Sequence, residues 1–224
     1  AVTTRLSDGF GGHHAPCVAM ASTLVLVGWQ SGSGDYTIRM RRSTNGGTTW
    51  LTAQSIATSI ECVDPGPLPS VAGYSDGSAF IAYRDQADEK IRCKKSTDAG
   101  ASWSTISATP QTNLGSHMPS CGIYTTPSST IQANLVHANR EPAANCVYYN
   151  NYDFSTSAWG TATNLSSILP GQYSDFTDPS IGQSTNFRTL HIAWDAYDEG
   201  SENRVIVYRE GGFRSFVSEY SVIQ

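Results

Sequence analysis

Ser43-Thr44-Asn45-Gly46-Gly47-Thr48-Thr49-Trp50 and Ser96-Thr97-Asp98-Ala99-Gly100-Ala101-Ser102-Trp103 are two copies of one turn, set 53 residues apart. Both read Ser-x-Asp/Asn-x-Gly-x-x-Trp, with Ser43, Asn45, Gly47 and Trp50 matched by Ser96, Asp98, Gly100 and Trp103. Asn or Asp can bond its own backbone and start a tight turn. Gly supplies a positive φ, and Trp covers the strand that returns.

Each turn ends a longer unit. Pro16-Cys17-Val18-Ala19-Met20 leads through Leu24–Trp29 and Tyr36–Met40 to Trp50, and Pro69-Ser70-Val71-Ala72-Gly73 through Ala79–Tyr83 and Lys90–Cys93 to Trp103. A third unit runs from Pro119-Ser120-Cys121-Gly122 to Trp159, and a fourth from Pro179-Ser180-Ile181-Gly182 to Phe216. The prolines are 53, 50 and 60 residues apart and the closing aromatics 53, 56 and 57. A period of about 50 residues holding four short strands is a propeller period. The turns of the last two units, Tyr152-Asp153-Phe154-Ser155 and Arg209-Glu210-Gly211-Gly212, have lost the motif, and their turn geometry is expected to persist. The competing reading is four unrelated hairpins in a β-sandwich, which would not require matching offsets.

The repeated turn resembles the Asp box, or BNR repeat, of sialidases and other β-propellers. The resemblance implies an all-β propeller of four-stranded blades in one domain over residues 1–224. Its repeats lie near 16–64, 65–115, 116–172 and 177–224, with 1–15 as an additional closing strand and loop. Sialidases have six blades, which at about 50 residues each needs roughly 300 residues. A compact four-bladed ring is the first expectation, with five irregular blades or closure between subunits behind it.

Charged residues make up 15% of the chain, against about a quarter in typical domains, and the net charge is −5. That balance argues against a nucleic-acid partner. The basic clusters Arg39, Arg41, Arg42 and Lys94, Lys95 read as solvated blade edges. No apolar run approaches the roughly 20 residues of a membrane helix, so no membrane insertion is expected. The chain starts at Ala1; a mature secreted, extracellular product is one expectation and a trimmed chain the other. Five cysteines show no zinc-ligand spacing, and Cys17 with Cys62 is the disulfide candidate. Asn164-Leu165-Ser166 is a glycosylation sequon. His13, His14 and His117 lack a second ligand set with defined spacing, so neither metal nor cofactor is expected.

In a propeller, the loops joining strands two and three share one face with the connections between blades, and the Asp-box turns lie on the other. The first set here is rich in reactive groups: Trp29-Gln30, Tyr83-Arg84-Asp85, His137 to Glu141 and Trp194 to Glu199. The connections add Glu61, Asp64, His117, Tyr173, Asp175 and Asp178. An aromatic closes strand two as Trp29, Tyr83 and Trp194, with His137 in its place in unit three. Such rings either pack between blades or cover the C–H face of a pyranose while nearby polar groups take its hydroxyls. The candidate ligand-binding set is therefore Trp29, Tyr83, Arg84, Asp85, His137, Arg140, Glu141, Trp194 and Asp195.

A glycosidase needs two carboxylates roughly 5–10 Å apart, and Asp85, Glu141 and Asp195 are the catalytic candidates for that reading. The resemblance to sialidases further implies an arginine triad and a Phe-Arg-Ile-Pro element. Here Phe187-Arg188 and Phe213-Arg214 are followed by Thr-Leu and Ser-Phe, and only Arg84 and Arg140 fall on the loop-rich face. The leading expectation is thus a non-catalytic propeller that binds glycans or a cell-surface glycoconjugate. A sialidase-like glycoside hydrolase and a structural subunit, possible as a homo-oligomer, are the alternatives.

Overall fold

The computed structural model describes residues 6, 13–32, 35–61, 69–85, 90–107, 116–126, 128–139, 146–169, 173–183, 189–212, 215–216 and 221–223. They form four antiparallel sheets, each built from consecutive strands. The first holds β1 (His13–Ala21), β2 (Leu24–Ser31), β3 (Asp35–Ser43) and β4 (Gln54–Glu61). The second holds β5 (Ser70–Gly73), β6 (Ala79–Asp85), β7 (Lys90–Ser96) and β8 (Ser104–Thr105). The third holds β9 (Ser116–Thr125), β10 (Ile131–Asn139) and β11 (Cys146–Asp153), edged by β12 (Ala158–Trp159) and β13 (Thr163–Asn164). The fourth holds β14 (Tyr173–Gln183), β15 (Thr189–Asp198) and β16 (Asn203–Gly212), edged by β17 (Ser215–Phe216) and β18 (Ser221–Ile223).

The sheets pack face to face in chain order, and their opening strands meet as β1–β5, β5–β9 and β9–β14. Three apolar joints fill the spaces between them. Leu26, Ile38 and Met40 meet Val71, Ile81 and Tyr83; Phe80, Ile91 and Cys93 meet Leu135 and Tyr152; Val136, Val147 and Tyr149 meet Ile192 and Trp194. The middle strands record this geometry in their burial. β6 and β10 are buried on both faces, whereas β15 alternates buried and half-buried residues along its length. A strand between two blades loses both faces to its neighbours; a strand of the last blade loses one.

The ring does not close among the described residues. The compact four-bladed ring expected from repeat length is not found; the four sheets form an open arc.

Arg42, Lys94 and Lys95 of the third strands act as ties between blades rather than as solvated edges. Arg42 Nη1 donates to the Ala99 carbonyl at 3.3 Å, and Lys94 Nζ donates to the carbonyl of Ile56. Lys95 Nζ reaches Ser157 Oγ at 2.8 Å and lies over the rings of Tyr152 and Phe154. Cys17 is a free thiol turned into the first joint, where the Gly28 and Val71 amides reach its sulfur and burial pushes its pKa up to about 12. Cys62 lies outside the described residues.

Candidate functional site

The two matched turns make the same bonds. Ser43 Oγ accepts the Gly47 amide at 2.9 Å, and Asn45 Oδ1 accepts the Thr49 amide at 2.9 Å. Ser96 Oγ accepts the Gly100 amide and Asp98 Oδ1 the Ser102 amide, again at 2.9 Å each. The side chain and amide of Ser102, followed by Ser96, hold the Asp98 carboxyl down to about 2. In the third blade Asp153 Oδ1 accepts the Ser155 and Thr156 amides at 2.8 and 3.1 Å, so turn bonding survives the loss of the motif. The carboxylate and amide oxygens of these turns are taken by nearby amides and side chains: Asp98 Oδ2 accepts from Ser102 Oγ at 2.6 Å and Asp153 Oδ2 from Gln132 Nε2 at 3.3 Å. That face is structural.

The opposite ends of the blades converge on a hub. The first strands of blades one, three and four bend at their prolines, with register shifts at His14/Cys17, Val136/Ala138 and Thr177/Ser180. In blades three and four the residue before proline is forced to positive φ: Met118 at 43° and Asp178 at 47°. A non-glycine residue in that region is strained, and a following proline restricts it further. These bends surround a cavity of about 370 Å³, lined by Pro16, Pro69, Ser70, Met118, Pro119, Ser120, Asp178 and Pro179. All four blades contribute to it. Asp178 is exposed there, and it is the only carboxylate in the lining among the described residues.

The hub serines also hold the blades together. Ser70 Oγ accepts the Cys121 amide at 3.1 Å and Ser120 Oγ the Ile181 amide at 3.2 Å. Cys17, in the same position of blade one, is met by the Val71 amide. Each residue after a hub proline therefore takes the amide two residues after the next hub proline.

The aromatics closing the second strands are buried, Tyr83 and Trp194 inside the joints and Trp29 on the face of blade one that carries Arg39. Trp29 is 5% exposed, Tyr83 6%, His137 0% and Trp194 1%, and Tyr83 and Trp194 are members of the apolar cores. His137 stacks on Tyr148 with ring centroids 5.8 Å apart. Burial pulls its pKa down to about 4, and the Ala138 backbone and Asn150 side chain offset only part of that. Neither His137 nitrogen is hydrogen bonded among the described residues, and the amide of buried Gln30 is likewise unpartnered. Buried polar atoms without partners are costly and uncommon.

Among the described residues, Asp85 and Asp195 do not come together. Asp85 bonds Arg92 at 3.4 Å on the side of blade two that faces blade one. Asp195 bonds Arg204 at 2.5 Å on the outward face of blade four. Arg84 is buried at the end of β6, and Arg140 and Glu141 lie outside the described residues. The structure adds Asp178 to the sequence-level candidates as the one that reaches the hub. The proline repeat is the signal that marks its place.

No family model matches this chain, and no curated protein does. Solved structures do. An α-L-arabinanase of Penicillium chrysogenum complexed with arabinobiose matches 94% of this chain at 14% identity and a TM-score of 0.59. An intramolecular trans-sialidase of Ruminococcus gnavus matches 85% at 13% identity and 0.58, and a Streptococcus pneumoniae sialidase 86% at 15% and 0.55. These neighbours are β-propellers. The fold is a β-propeller fold. The chain spans 66% of the arabinanase and 41% and 30% of the two sialidases, so the propeller arc seen here matches part of each. At such identities the likeness establishes the fold alone.

Proposed function

We propose that this chain is a secreted, non-catalytic propeller of the Asp-box group that binds glycans through its loop-rich face, with the hub cavity as the seat. The observation that carries the reading is the cavity itself. Its size suits a mono- or disaccharide, and its lining combines the C–H surfaces of four prolines and Met118 with two hydroxyls and one carboxylate. A sugar presents the same mixture. Tyr83 and Trp194 stiffen the blades that form that seat from within the joints. The identical bonding of the two matched turns supports the Asp-box assignment.

Asp178→Asn keeps the size of the side chain and removes its charge. Binding on a glycan array should fall at least tenfold for the preferred sugar, with the melting temperature held within about 2 °C. Unchanged binding by the variant would sink the cavity as the seat.

One observation favours a second reading, a sialidase-like glycoside hydrolase. Asp178 is an exposed carboxylate held in a strained conformation at the centre of the arc, and strain of this kind gathers at active sites. Glycosidases need a second carboxylate near the first. Release of a fluorophore from aryl glycosides, abolished in Asp178→Asn, would place hydrolysis ahead of binding. A full panel left uncleaved would retire it.

A further inference from the structure

The three joints inside the chain share one construction, and both ends of the arc carry half of it. Ser180 follows the fourth hub proline, as Cys17, Ser70 and Ser120 follow the other three. Those three each receive an amide from the next blade. Ser180 is exposed and receives none among the described residues. At the other end, Val18 occupies the position of Val71, Cys121 and Ile181, which all pack on the preceding blade. Val18 is 66% exposed, and Met20 beside it is 75% exposed. Val27 shares that face through its pairing with Val18 and is half-buried, while Val25, paired with Met20, is 9% exposed. An exposed apolar strand at a position that packs on the preceding blade in every other blade is an unfilled interface.

We propose that a second copy of this chain fills it head to tail, the outward face of blade four in one copy seating on the outward face of blade one in the next. Charge selects this pairing over the symmetric ones. Blade one carries Arg39 and Arg41 on the outward face, opposite Trp29 and Val27 in the ladder. Blade four carries Asp195 and Glu210 with a single arginine, Arg204, around Ile206 and Tyr208. First face against first face would set the arginines opposite each other, whereas first against fourth sets them opposite carboxylates. Ile206 is 43% exposed, so the acidic face also has apolar surface to bury. The joint formed would repeat the internal one, with the Val18 amide donating to Ser180 Oγ of the neighbouring copy. Because the two surfaces differ, the contact is heterologous: it grows until geometry closes it.

End-blocking tests this on the full chain. Val18→Glu disables the first face and Ile206→Arg the fourth, each by placing like charge against the partner surface. Met20→Glu replaces Val18→Glu should the latter lose its circular dichroism signature. Light scattering on a sizing column should show two or more wild-type copies at micromolar concentration and monomers for each variant alone. A mixture of the two variants should give a one-to-one dimer, since one live face of each kind remains. A monomeric wild type, variants that assemble as the wild type does, or a mixture that stays monomeric would each overturn the proposal.

Discussion

Gly47 and Gly100 hold the same place in the two matched turns, at φ of 87° and 75°, but not in the same surroundings. A methyl group on Gly47 would meet only Trp50 at 3.7 Å, while one on Gly100 would press against Leu26 Cδ2 at 3.0 Å. Gly47→Ala should therefore cost about 1 kcal/mol for backbone strain alone, and Gly100→Ala about 2 to 3 kcal/mol with the clash added. Urea denaturation of both variants checks the ordering. His137 gives a second expectation, with a definite sign. Its folded pKa of about 4 lies below the ordinary 6.5, so between those values the unfolded chain binds a proton that the folded chain refuses. Stability should fall by at most about 3 kcal/mol as the pH drops from 6.5 to 4, and this slope should vanish in His137→Phe. Asp98 acts in a lower window, its contribution being lost as the pH falls from 3.8 through about 2. The turn chemistry was legible in eight residues because every bond in it is local. The burial of His137 was not. Alternation along β10 assigns its face, but only the neighbouring blade makes that face an interior.

The hub prolines are where the elements join, and the repeat spacing marks them in the sequence. What the spacing does not disclose is that the next residue reaches across a joint to an amide 51 to 61 residues further on. Such a bond has no local signature, since Ser after Pro is common in any turn. Ser120→Ala should cost about 1 kcal/mol overall and should speed amide exchange at Ile181 in particular, read by hydrogen-exchange NMR. Exchange at Gly47 and Gly100, held by their own turns, should not change. The aromatics at the ends of the second strands make a related point. Trp194→Ala, with a ring 1% exposed in the third joint, should cost about 3 to 5 kcal/mol, so any loss of binding in that variant would have to be separated from loss of fold.

For the molecule as a whole, repeat counting gave the blade number, and the structure shows four sheets in chain order. Counting carries no information about the angle between blades, and so a closed ring was anticipated where an arc is found. The three joints are each assembled from residues of two repeats, which the period alone does not pair. At the hub the four blades bring prolines, serines and Asp178 around one cavity.

That convergence is tested most directly by titrating the isotopically labelled chain with neutral and acidic mono- and disaccharides and following amide shifts by NMR. Saturable shifts at Ser70, Ser120 and Asp178, with Asn45 and Asp98 unmoved, are the expected result. Shifts confined to the Asn45 and Asp98 turns, or none anywhere across the panel, would contradict it.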